Sequence, residues 1–76
     1  MEEKEILKEF GCEEIQYTNL INNYYINFKY NQKGYTAEHI LNVYGAEVDM
    51  WMLTSLHSEP EYFKTLEELL NHIKSL

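Results

Sequence analysis

Seventy-six residues with 13 acidic side chains against 6 basic ones, every basic one a lysine, give a formal charge of −7 and no arginine. A chain this short supports one small core, so residues 1–76 are expected to form a single domain that commits nearly every large apolar side chain to packing. The charge excludes direct binding to a phosphate backbone, which draws on clustered Lys and Arg; the single cysteine, Cys12, excludes an intramolecular disulfide and, without CxxC or Cys/His spacing, a structural zinc site.

Residues 2–10 are good helix formers, with Ile6, Leu7 and Phe10 as a narrow apolar stripe and Gly11 at the C′ position. The first fourteen residues hold six acids (Glu2, Glu3, Glu5, Glu9, Glu13 and Glu14) against Lys4 and Lys8. Acids favour the positive end of a helix dipole, which accounts for Glu2, Glu3 and Glu5 better than for Glu13 and Glu14. A first strand starts at Ile15, bends through Thr18, Asn19, Asn22 and Asn23, and resumes at Tyr24.

Tyr24 to Tyr30 has the clearest period in the chain: Tyr24, Ile26, Phe28 and Tyr30 fall on one face of a strand, and Tyr25, Asn27 and Lys29 on the other. Asn31 to Gly34 supplies the turn, with Gly34 taking the positive φ. Residues 35–44 carry both a helical spacing from Thr36 through Ile40, Leu41 and Tyr44 and an alternation of Tyr35, Ala37, His39, Leu41 and Val43. Their place after a hairpin turn favours the strand. Gly45 and Ala46 make the next turn, and Glu47 to Thr54 alternates again, with Val48, Met50, Met52 and Thr54 facing away from Trp51 and Leu53, as in a strand covered on both sides.

Ser58 to Glu61 and Thr65 to Glu68 compete as capping boxes for the last helix, and Pro60 suits a first turn. From Tyr62, the residues Phe63, Leu66, Leu69, Leu70, Ile73 and Leu76 form a full apolar stripe. The expected fold is therefore α+β, in the order α-β-β-β-α: a short three-stranded antiparallel sheet covered by a C-terminal amphipathic helix. The sheet's free edge leaves monomer and homodimer open, with Lys29 and Lys33 as its guard.

No catalytic motif stands out, and the expectation is a non-enzymatic protein without a cofactor or bound metal. His39, His57 and His72 form no HxxxH or HExxH pattern, although His57 beside Glu59 and Glu61 is the nearest approach to a metal site. Gly11, Gly34 and Gly45 are isolated and make no phosphate loop. Cys12 sits among acids that do nothing to activate a thiol. The acidic opening Met-Glu-Glu-Lys-Glu is unlike a secretion signal, and the longest strongly apolar run, Met50 to Leu53, is too short to cross a bilayer, so a cytoplasmic protein with no membrane contact is expected.

The element order matches that of double-stranded-RNA-binding domains, but those carry lysines at the start of the last helix, where this chain has Glu59, Glu61, Glu67 and Glu68 with only Lys64. Seven tyrosines and one tryptophan exceed what so small a core hides and suit a protein interface. Abundant Asn, Lys, Ile and Tyr with no Arg reflect AT-rich codons, as in a low-GC bacterium or its phages. In size, charge, codon bias and element order the chain resembles the small acidic anti-CRISPR proteins of phages. That resemblance implies an inhibitor whose carboxylates stand in for phosphates on the basic surface of a host enzyme such as an RNA-guided nuclease. The expected partner-binding residues are Glu13, Glu14, Glu38, Glu47 and Asp49, with Tyr25, Tyr30 and Tyr35 as aromatic anchors. The alternative is a small adaptor that docks on a cellular protein through the uncovered side of its sheet, using Tyr25 or Trp51.

Overall fold

The computed structural model describes residues 3–21, 23–56 and 58–76. Among them the chain forms α1 (Glu3–Phe10), β1 (Glu13–Asn19), β2 (Tyr24–Tyr30), β3 (Lys33–Val43), β4 (Ala46–Ser55), β5 (Glu61–Phe63) and α2 (Leu66–Lys74). The strands form one antiparallel sheet in chain order, β1-β2-β3-β4-β5. This corrects the expected three-stranded sheet: β1 and β5 flank the three central strands.

Both additions have local causes. The Leu20 amide donates to the Asn23 carbonyl at 2.7 Å, and the segment expected to bend becomes two antiparallel strands paired through Tyr17 and Ile26; Asn22 lies outside the described residues. At the other edge, residues 61–63 leave the expected helix and pair with Leu53, Met52 and Trp51. The second capping box prevails: Thr65 is the N-cap, and its side chain accepts the Glu68 amide at 3.1 Å. The Glu68 carboxylate reaches the Lys64 amide at 3.2 Å. Starting the helix at Leu66 still buries Leu66, Leu69, Leu70 and Ile73, while Tyr62 joins the sheet and Leu76 lies past the helix end, exposed.

Gly11, at φ +101°, ends α1 as expected: its amide donates to the Lys8 carbonyl and that of Cys12 to the Leu7 carbonyl, at 3.1 and 3.0 Å. The two long hairpins turn one or two residues earlier than expected. Asn31 and Gln32 carry the positive φ values of the first, and Gly34 lies in β3 opposite Lys29. Tyr44 (φ 52°) and Gly45 (φ 83°) make the second, with Ala46 already in β4. Two positive φ angles in a two-residue loop match the twist of the flanking strands, but each non-glycine residue there costs roughly 1–2 kcal/mol. β4 also carries a bulge, in which Val48 and Asp49 together stand opposite Leu41.

Both helices lie on one face of the sheet, α2 over β4 and β5 and α1 beside α2 and β1. Leu7, Ile26, Phe28, Leu69 and Leu70 are fully buried between them, with Trp51, Leu53 and Ala37 alongside. Trp51 and Leu53 therefore face the core, while Met50, Met52 and Thr54 turn to the face that no helix covers, so β4 is covered on one side only. None of the described helices is long and apolar enough to cross a membrane.

Candidate functional site

The register of the sheet assembles a row across all five strands on its uncovered face: Thr18, Tyr25, Glu38, Met52 and Tyr62, each opposite the next. Ile40 and Met50 pair on one side of this row, so Tyr25, Ile40, Met50, Met52 and Tyr62 form an apolar band around the Glu38 carboxylate. Glu38 accepts a long hydrogen bond from Asn23 Nδ2 at 3.5 Å. On the other side of the row stand Gln16, Asn27, Thr36 and Thr54, with the Thr36 hydroxyl donating to Asn27 Oδ1 at 2.7 Å. Beyond them a shallow hollow of about 310 Å³ opens where Gly34 presents no side chain, bordered by the Glu14–Lys29 ion pair (3.0 Å).

The eight residues expected to bind a partner are spread over the molecule. Tyr25 and Glu38 are brought together as a cross-strand pair. Glu13 and Glu14 lie at the opposite end of the sheet from Glu47, the second residue of β4, opposite Asn42. Tyr30 turns to the helix face and packs against Phe10 with ring centroids 5.5 Å apart. Tyr35 is 7% exposed and stacks on Phe28 at 5.8 Å, so its ring belongs to the core rather than to a contact surface. Trp51, named for the adaptor reading, is likewise in the core.

Asp49 belongs to a hydrogen-bonded chain that alternation alone does not reveal. Tyr24 donates its hydroxyl proton to Glu3 Oε1 at 3.0 Å; His39 Nδ1 lies 2.9 Å from the Tyr24 hydroxyl oxygen and His39 Nε2 lies 2.6 Å from Asp49 Oδ1. The His39 ring lies flat on Trp51, 4.2 Å between centroids. Burial, followed by the hydrogen bond and charge of Glu3, raises the Tyr24 phenol well above its ordinary range. Both imidazole nitrogens are engaged, and the chain ties α1, β2, β3 and β4 together. The bulge at Val48 and Asp49 aims the carboxylate at the ring.

Cys12 is buried, and burial pushes its thiol up to about 11, the opposite of an activated nucleophile. Among the described residues no group of three or more His, Cys, Asp or Glu side chains is placed to hold a metal ion. His57 lies outside the described residues, and Glu61 pairs with His72 Nε2 at 3.0 Å. The sequence reading gave no weight to the exposed apolar residues Leu20, Ile21, Leu41, Val43 and Tyr44, of which Tyr44 alone had a signal, an aromatic residue directly before Gly45. Comparison with protein-family models, with curated proteins and with solved structures gives no significant match to this chain.

Proposed function

We propose that this protein acts by binding another protein through the uncovered face of its sheet, and that the partner surface is basic, as on a nucleic-acid enzyme of a host defence system. The row Tyr25–Glu38–Met52–Tyr62 supports this reading: aromatic and thioether side chains surround a carboxylate on a face that the fold leaves uncovered. Such a surface supplies contact area at low entropy cost and one charge to fix the orientation of a basic partner. An inhibitor from a phage or mobile element fits the size and the −7 charge. The element order that contributed to the anti-CRISPR resemblance is replaced by a five-stranded sheet.

The adaptor reading uses the same face, and salt separates the two. The partner recovered from a low-GC bacterial lysate is purified and titrated by calorimetry at several salt concentrations. For the inhibitor, DNA or RNA competes for the partner, Glu38→Lys weakens binding about tenfold and flattens its salt dependence, and Tyr25→Ala weakens it about tenfold at every salt concentration. For the adaptor, only the Tyr25→Ala loss is expected. Unchanged affinity in both variants places the contact elsewhere.

A further inference from the structure

We propose a second contact surface at the end of the sheet formed by the β3–β4 hairpin with Leu20 and Ile21: an apolar anchor built on Tyr44 that takes an amphipathic partner segment carrying Lys or Arg beside its apolar side chains. The proposal rests on the reading of the chain as a protein-binding module, and it involves residues separate from the Tyr25–Glu38 row.

Tyr44 is fully exposed and sits at φ 52° in the first position of a two-residue turn, where Asn, Asp or Gly is the easy choice. A bulky aromatic side chain in a left-handed conformation with no burial in return is a strained residue that the monomer does not use. Its neighbours share this character. Leu41 and Val43 are 40% and 43% exposed, Ile21 is 99% exposed and Leu20 48%. The two segments are adjacent, because the Leu41 amide donates to Asn23 Oδ1 at 3.1 Å and Tyr24 pairs with His39. An exposed apolar group of this kind on a small acidic chain marks a contact surface.

Charge decides the occupant. Glu47 and Asp49 lie on the arm of the hairpin beside this group, both exposed, and no lysine occurs between residues 34 and 63. An anionic membrane surface is repelled by that arrangement. A second copy docked end to end brings the Glu47 and Asp49 carboxylates of both copies together. A segment with Lys or Arg flanking apolar residues satisfies both features, covering the apolar group while pairing the acids.

The test is a random peptide library displayed against the full chain, followed by titration of the selected peptides. The expected peptides combine aromatic or aliphatic residues with Lys or Arg. Their affinity falls at least about tenfold for Tyr44→Asn and for Glu47→Lys, and holds for Glu38→Lys. Because Asn-Gly suits the turn, Tyr44→Asn melts no lower than the native chain, which separates lost contact from lost folding. The proposal is overturned by peptides without basic residues, by a dimer in sedimentation that Tyr44→Asn dissolves, or by Tyr44-dependent binding to phosphatidylglycerol vesicles. Peptides sensitive only to Glu38→Lys or Tyr25→Ala overturn this anchor and leave the sheet-face reading standing; absence of any selected peptide also overturns this anchor, and the sheet-face reading is then decided by the calorimetric titration of its own variants.

Discussion

Cys12 acts twice in α1's last turn: its amide closes the turn onto the Leu7 carbonyl, and its side chain fills the core beneath. The thiol is held at about 11 against an ordinary 9.0 by burial. Between those two values the unfolded chain releases the proton while the folded chain keeps it, so Cys12 lowers stability as pH rises from about 9 to about 11 and has no such effect at lower pH. Urea unfolding at pH 8 and pH 10.5 should show a larger loss for the native chain than for Cys12→Ala, and a thiol reagent should label native protein slowly at pH 8 and readily in urea. At this scale the sequence exposed alternation but not sidedness. Tyr25 and Tyr30 belong to one strand and to opposite faces, and which face is covered depends on where the helices land.

Among the elements, β2 was legible to its end residues because its seven positions alternate without interruption. β5 was not, since three residues are too few to show a period and Ser58-x-x-Glu61 imitates a helix start. Competition between the two capping boxes was visible in the sequence; the outcome depended on β4 offering an edge to pair. The surviving cap is testable: Thr65→Ala removes the acceptor for the Glu68 amide and should lower stability by about 1 kcal/mol, read as a fall in the thermal midpoint with little change in the far-ultraviolet spectrum. Thr65→Asn should retain most of it.

For the whole molecule, one-sidedness carries the proposed binding role. Both helices are spent on one face, so a five-stranded sheet presents its other face to its surroundings, and of the five-residue row only the outward side of Tyr25 could be read from the period of β2 alone. The scatter of the acidic residues could not be read, because Glu13 and Glu47 both lie near the N-terminal end of a strand and yet at opposite ends of the sheet in space. His39, Tyr24 and Asp49 are far apart in the chain, and only register and the β4 bulge bring them within hydrogen-bonding distance.

The strand order β1-β2-β3-β4-β5 also bears on how the chain folds. Each strand meets only its predecessor and its successor, so every sheet contact closes a short loop, and the contact between α1 and α2 is the one that spans the chain. Loop-closure entropy grows with the length closed, so the hairpins can assemble without waiting for the termini, and the sheet is expected to reach native pairing before the two helices meet. Stopped-flow refolding should then give a single phase, on the order of milliseconds to tens of milliseconds. Leu7→Ala, which weakens α1 in the core, should leave the folding rate nearly unchanged and speed unfolding.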